Sequence, residues 1–303
     1  MSFSYETKAE LCRAQPHDKC CAVAEAYGIL LYCNTFSPRE IRIVTGSAEL
    51  AERLPKLFRR AFGIGFDVLP APTSRGKRTL IITDGEKLAS VSRAFGSEPE
   101  TALSLHINLG ILEEDCCRLS FIRGAFLAGG SITSPEKHYH LELCTAHHSV
   151  SRECYSLLLE MGFEPKETSR AGNSVVYFKQ SEAIEDFLTA VGAPVAAMDI
   201  MSAKVEKDMR NTINRKVNCD SANADKIVAA AQEQLLTIRR VERTLGLDGL
   251  PEALQQAALL RIANPEASLA ELSQLSFPQV TKSCLSHRLK KLAELAASVA
   301  DTD

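Results

Sequence analysis

The sequence predicts an α+β protein: a two-repeat αββαββα domain over residues 1–197, helical linker segments over 198–249, and an all-α helix-turn-helix domain over 250–303. Three observations predict it. The first two-thirds of the chain is self-similar at a separation of about 95–100 residues. Each copy alternates helix-period with strand-period segments. The C-terminal segment carries helix start and stop signals and ends in a helix with one apolar and one basic, polar face.

In the first copy, Ala22–Leu30 precedes the strand-like Ile41–Thr45; in the second, Phe121–Gly130 precedes Tyr139–Thr145. The copies span about 18–97 and 115–193. Helix-period segments follow at 48–62 and 149–161, each trailed by Gly-Phe, Gly65-Phe66 and Gly162-Phe163. Thr73-Ser74-Arg75-Gly76 before Thr79-Leu80-Ile81-Ile82 aligns without gaps on Thr168-Ser169-Arg170-Ala171 before Ser174-Val175-Val176-Tyr177. Both read as a hairpin turn feeding a β-branched strand. A short amphipathic helix closes each copy, at 86–95 and 182–191. Gly124, Ala125, Ala128, Gly129 and Gly130 are small enough to predict close helix-helix contact between the copies.

Pro251 stands where a helix begins, and Leu254, Ala258 and Ile262 follow at helix spacing until Asn264-Pro265. Ser268-Leu269-Ala270-Glu271 is a capping box that starts a helix ending near Leu275. Ser276-Phe277-Pro278-Gln279 reads as the turn, and Thr281 caps a last helix from Lys282 to about Ser298. On that helix Leu285, Leu289, Leu292 and Ala296 make one apolar stripe, with Lys282, Ser283, Ser286, His287 and Lys290 opposite. Between Thr281 and Lys291 stand Lys282, Arg288, Lys290 and Lys291, and no acid. The pattern fits a helix-turn-helix with double-stranded DNA as partner. Ser283, Ser286 and His287 are the expected base readers, and Lys282, Arg288, Lys290 and Lys291 the phosphate contacts. Ser268 and Thr281, at the two helix starts, complete the candidate set.

Composition bounds the rest. A chain of 303 residues is about two domains at ~150 residues each, and 45% hydrophobic with 24% charged residues excludes disorder throughout. No stretch reaches the ~20 apolar residues of a membrane helix, and Met1-Ser2-Phe3-Ser4-Tyr5-Glu6 lacks a signal pattern. The expected location is the cytoplasm, with no membrane partner. A net charge of -3 gives no global attraction to nucleic acid, so contacts must rest on local patches. Arg75, Lys77 and Arg78 on the first hairpin, with Arg170 on its counterpart, are candidate secondary contacts. Lys204, Lys207, Arg210, Arg215 and Lys216 in the linker read equally as a phosphate-contacting surface or a plain connector helix. Asp220 or Ser221 is expected to cap the helix running through Ile227, Ala231, Leu235 and Ile238.

Two groups invite a metal. The ten cysteines include the adjacent pairs Cys20-Cys21 and Cys116-Cys117, with Cys12, Cys33, Cys144, Cys154, Cys219 and Cys284 scattered and no C-x-x-C. They are expected to be reduced, mostly buried, small apolar residues. His138, His140, Cys144, His147 and His148 form a tight cluster of zinc-capable ligands, but without a second ligand pair. The expectation is no metal and no cofactor, with a half-buried strand and a polar turn instead.

The segment Phe121–Ile132, followed by Tyr139-His140-Leu141-Glu142, resembles the WhiA family of bacterial DNA-binding regulators. The similarity runs from Phe3 to the C-terminal helix. Thr281–Leu292 resembles the family's terminal motif, with Cys284 and Ser286 as departures, and Asn218–Asn223 resembles its hinge region. The resemblance implies a LAGLIDADG homing-endonuclease-like repeat domain ahead of the helix-turn-helix. It also implies roles in sporulation control, cell division and chromosome segregation. In LAGLIDADG nucleases each repeat helix ends in an acid, and the two acids share divalent metals. Laid on Ile122–Gly130 and Val23–Leu31, the motif puts those positions on Gly129 and Leu30, neither a metal ligand. Glu25 and Glu142 lie elsewhere. The expectation is a non-enzymatic, nucleoid-associated transcriptional regulator with other transcription or cell-division proteins as further partners. A protein-interaction scaffold and a residual metal-dependent endonuclease are the alternatives.

Overall fold

A computed structural model describes residues 2–71, 76–96 and 105–300. The chain divides into two compact units, 1–207 and 208–303.

In the first unit, α1 (Phe3–Arg13) starts at Ser2, whose side chain accepts from the Tyr5 amide. The first copy then runs α2 (Lys19–Tyr32), β1 (Thr35–Phe36), β2 (Ile41–Thr45), α3 (Ala48–Phe62), β3 (Arg78–Ile82) and α4 (Gly85–Ala94). The second runs α5 (Asp115–Gly129), β4 (Gly130–Ile132), β5 (Leu141–Thr145), α6 (His148–Glu160), β6 (Lys166–Arg170), β7 (Asn173–Phe178) and α7 (Ser181–Val191). The second copy has the full expected order, with its antiparallel strands arranged β4-β5-β7-β6. The first copy's sheet is β1-β2-β3, and the strand expected before β3 is reduced to a single bridge between Val68 and Ile81. Leu69-Pro70-Ala71-Pro72 explains the loss, because proline has no N–H to offer a ladder. The turn expected at 73–75, including Arg75, lies outside the described residues.

Both sheets turn alternate residues inward. Ile41, Ile43, Leu80 and Ile82 are buried in one, and Leu141, Leu143, Val176 and Phe178 in the other. The central helices α2 and α5 are apolar nearly all round, which suits a helix covered on every side. Their backbones touch. A Cβ at Gly28 would lie 2.1 Å from the Phe121 carbonyl oxygen, and one at Gly124 would lie 2.1 Å from that of Glu25. Gly28 also faces Ala125, and Gly124 faces Ile29. The two contact sets interchange under a shift of 96 residues, the same offset that separates the helix starts Lys19 and Asp115. A pseudo-two-fold axis therefore passes between the helices. Close packing of the copies through small residues, expected from Gly124 and its neighbours, is what the molecule uses, with Gly28 as the partner glycine.

A buried ion pair sits in this core. The Glu25 carboxylate is fully buried and accepts from Arg53 Nε and Nη2 at 2.7 and 2.8 Å. Arg123 approaches the same carboxylate at 3.5 Å and donates through Nε to the Val191 carbonyl at 2.6 Å. Arg53 also donates to the Cys12 carbonyl at 2.9 Å, which fastens the end of α1. Such a bidentate, fully hydrogen-bonded pair is tolerable in a core only while both members remain.

The second unit begins within α8 (Pro194–Leu245). The break expected near Asn218–Asn223 does not occur: the helix runs on, and neither Asp220 nor Ser221 caps anything. No glycine or proline stands between Val195 and Leu245 to interrupt it. Residues 208–230 are all exposed. Beyond them Ile238 and Val241 enter a core with Leu250, Leu254, Ala257, Ala258, Leu272, Leu285, Leu289, Leu292 and Ala296. That core is built from α9 (Glu252–Ala263), α10 (Leu269–Leu275) and α11 (Lys282–Ala300) together with the end of α8. Among the described residues no helix is long and apolar enough to cross a membrane.

Glu25→Ala strands Arg53 in the core and is expected to cost about 3–5 kcal/mol in denaturant unfolding. Gly124→Ala forces the central helices apart and is expected to cost about 1–3 kcal/mol; a neutral result would show that the helices can separate freely.

Candidate nucleic-acid interface

The candidate surface is assembled by capping and by a buried stripe. The Ser268 side chain accepts from the Glu271 amide at 3.3 Å, while Glu271 accepts from the Ser268 amide at 2.7 Å, a complete capping box. Ser276 closes the following turn by accepting from the Val280 amide at 3.0 Å. Thr281 then caps α11, accepting from the Cys284 amide at 3.2 Å. With Leu285, Leu289, Leu292 and Ala296 buried, the opposite face of α11 is fixed outward.

That face exposes Lys282, Ser283, Ser286, His287, Lys290 and Lys291 together. Two hydroxyls and an imidazole sit among three ammonium groups, a set able to hydrogen-bond base edges and neutralise phosphates. The other candidates serve differently. Ser268 and Thr281 commit their hydroxyls to caps. Arg288 is half-buried in a pocket lined by Leu260, Phe277, Pro278 and Leu285.

Two residues escaped the sequence reading. Phe277 is 96% exposed in the turn, beside α11. A lone aromatic before a proline, off any helical stripe, was the available signal. Ile262, expected on the buried stripe of α9, is exposed, and its neighbour Arg261 is buried instead. The Arg261 guanidinium donates to the Ala267 and Asn264 carbonyls at 2.5 and 3.4 Å, so it ties down the link between α9 and α10. Burial lowers its pKa from the ordinary arginine value.

The secondary candidates divide. Lys204 pairs with Glu182, and Lys207 donates to the Pro135 carbonyl while its ammonium lies 4.5 Å from the centre of the Tyr139 ring. Both fasten the start of α8 to the second copy, so their charge is already engaged within the fold. Arg210, Arg215, Lys216 and Lys77 are exposed. Arg78 donates to the Gly46 and Gly76 carbonyls at 3.4 and 3.3 Å. Arg170 pairs with Glu142 at 3.2 Å, and Ser131 and His140 contact the same carboxylate. Burial would raise the Glu142 pKa, but the His140 hydrogen bond and the Arg170 charge outweigh it and hold the group below the ordinary glutamate value.

The histidine cluster does not converge. The His138 and His140 rings stand 6.3 Å apart, His140 turns to Glu142, and His148 meets the Ser174 hydroxyl at 3.2 Å. His147 occupies the cap position of α6. Nor are the cysteines mostly buried. Only Cys21, Cys117 and Cys154 are, while Cys20, Cys116 and Cys219 are exposed: the adjacent pairs sit at helix starts where one of two neighbours faces outward, and Cys219 lies on the exposed stretch of α8.

At the C-terminal ends of α2 and α5, where nuclease acids would stand, the pseudo-symmetry corrects the motif register. The equivalent of Gly129 is Cys33, not Leu30, which is a buried core residue. A Cβ at Gly129 would lie 2.5 Å from the Cys144 carbonyl oxygen and 2.7 Å from Tyr32 Cδ1, so no carboxylate fits there. The Cys33 thiol donates to the Leu30 and Thr35 carbonyls at 3.2 and 3.3 Å, and burial pushes its pKa up to about 12.

Residues 118–210 match the WhiA LAGLIDADG-like domain, and residues 213–296 match the WhiA C-terminal HTH domain. A protein named "Probable cell division protein WhiA" from Ruminiclostridium cellulolyticum is 40% identical over 308 residues, covering 99% of this chain and 98% of its own length. One of the same name from Alkaliphilus oremlandii is 34% identical over 313 residues, covering 99% and 98%. The chain belongs to the WhiA family. The fold agrees: full-length DUF199/WhiA from Thermotoga maritima superposes with a TM-score of 0.60 at 24% identity, covering 98% of this chain and 99% of that one. The WhiA-family architecture of a LAGLIDADG-like domain followed by a helix-turn-helix domain is thus the architecture of this protein.

Leu289→Ala is expected to destabilise the C-terminal unit by about 2–5 kcal/mol, and Ser268→Ala by about 1 kcal/mol. Thermal unfolding followed by circular dichroism checks both, and equal losses would contradict the assignment of one to the core and the other to a cap.

Proposed function

We propose that this WhiA-family protein is a non-enzymatic, sequence-specific DNA-binding regulator of transcription. The observation that carries the reading is the outward face of α11, where Lys282, Ser283, Ser286, His287, Lys290 and Lys291 lie together over a fully apolar inner face. Recognition follows from the chemistry. The helix enters a major groove, the hydroxyls and the imidazole approach base edges, and the ammonium groups displace counterions from phosphates. Phe277, standing out of the turn, adds apolar contact at the edge of the same surface. Exposed Arg210, Arg215, Lys216 and Lys77 supply further phosphate contacts, and the repeat domain adds such contacts or recruits other transcription or cell-division proteins. Two linked weak sites gain avidity through effective concentration. The regulation extends to cell division, chromosome segregation and sporulation, exercised from the nucleoid in the cytoplasm. Closure of the Gly129 position and the thiol at Cys33 support a repeat domain that binds without cutting.

Binding of the full-length protein to its selected DNA site, measured across salt concentrations, tests the assignment. Lys282→Ala with Lys290→Ala is expected to weaken binding broadly and to flatten the salt slope by about 1 per residue removed. Ser286→Ala and His287→Ala are expected to keep the slope and to relax base preference by about 1–3 kcal/mol each. A slope unchanged by the lysine pair would remove their phosphate role. Supercoiled plasmid incubated with the protein and Mg²⁺ or Mn²⁺ is expected to stay intact; protein-dependent nicking would defeat the non-enzymatic reading.

A further inference from the structure

The two cysteine pairs, separated in sequence by nearly a whole repeat, meet at the N-terminal ends of α2 and α5. The sulfurs of Cys20, Cys21 and Cys117 all lie within 4.8 Å of one another. Cys116, next to Cys117 in the first turn of α5, is exposed. The arrangement follows from the pseudo-two-fold axis. Cys20 and Cys116 differ by the same 96 residues as Gly28 and Gly124, and so do Cys21 and Cys117. Each copy therefore delivers two adjacent thiols to the axis from equivalent positions in its first helical turn.

We propose that Cys20, Cys21, Cys116 and Cys117 form a four-thiolate site for a thiophilic divalent cation, Zn²⁺, at the opposite end of the helix pair from the closed nuclease centre. Three converging sulfurs, with the exposed Cys116 next in the chain to Cys117, offer the four soft donors that a structural zinc site requires. Zinc bonded to four sulfurs at about 2.3 Å holds them about 3.8 Å apart, so shifts on the scale of 1 Å bring Cys20, Cys21 and Cys117 onto the ion, and rotation of the exposed Cys116 side chain supplies the fourth donor. Access is provided for. Cys21 and Cys117 are buried, whereas Cys20 and Cys116 are exposed and open the site to a hydrated ion. The four cysteines stand in the first turns of α2 and α5, where the positive end of a helix dipole favours thiolate. Burial opposes ionisation of Cys21, but its polar surroundings at the helix start, the Asp18 backbone first among them, bring its pKa below the ordinary thiol value. The pKa values of Cys116 and Cys117 are raised, the first by its neighbour Cys21 and the second by burial. Binding is proton exchange without redox change: four S–H bonds break, four S–Zn bonds form, and four protons leave to solvent. Affinity rises with pH for that reason. The bound ion would staple the copies together at the end remote from their glycine contact.

The test uses full-length protein, reduced and stripped with a chelator, then titrated with Co²⁺. One equivalent is expected to bind, with a thiolate-to-cobalt charge-transfer band that Zn²⁺ abolishes, and Zn²⁺ is expected to raise the melting temperature. Cys20→Ser with Cys116→Ser, both exposed and so compatible with folding, should weaken binding at least tenfold, whereas Cys219→Ser on α8 should not change it. Absence of the charge-transfer band, a band indifferent to the double variant, or closure of the pairs into disulfides in place of metal uptake would each overturn the proposal.

Discussion

Backbone contact between two helices, Gly28 on Phe121 and Gly124 on Glu25, is the constraint on which the repeat domain depends. Only residues without side chains permit it. Once the helices are that close, both of their ends are determined. At one end Gly129 is pressed against Tyr32 and the Cys144 carbonyl, leaving no volume for a carboxylate. At the other, Cys20, Cys21 and Cys117 are drawn into one cluster. The sheets add their own inward-facing residues to the same core, and the second sheet keeps the full strand set because no proline interrupts β6.

The C-terminal unit obeys a simpler rule. A short helix, a capped turn and a longer helix leave no choice of face once Leu285, Leu289 and Leu292 are buried against α9 and the end of α8. Arg261 locks the approach to this arrangement by hydrogen-bonding two carbonyls across the link between α9 and α10. The polar surface of α11 is therefore presented by packing rather than by polar contacts of its own.

Much of this was legible because the signals were local. The capping box at Ser268 and Glu271, the Thr281 cap and the α11 stripe each depend on residues within one or two turns, and all appear as read. The repeat was legible from its own similarity. What failed needed tertiary information. A slip of nearly one turn along α2, from Ala26–Asn34 to Val23–Leu31, keeps the segment apolar, and only the contact of Gly28 with α5 fixes the register. Asp220 and Ser221 have cap chemistry, but a cap residue acts only where the backbone leaves the helix, and there it does not. The basic residues Lys204 and Lys207 gave no sign that Glu182 and the Pro135 carbonyl would claim them. The cysteine cluster was hidden for the same reason, since its members are spaced by the 96 residues of the repeat and not by the short intervals of a local ligand motif.

Fusion of the copies into one polypeptide has a consequence that two separate subunits could not share. Under the offset relating the central helices, the position equivalent to Glu25 is Phe121, so one half contributes an anion where the other contributes an aromatic ring. A homodimer would be obliged to bring identical acids to both places beside its axis, with mutual repulsion and twice the dehydration penalty. Covalent linkage frees the halves to diverge, and the Arg53–Glu25–Arg123 triad is the imprint of that freedom.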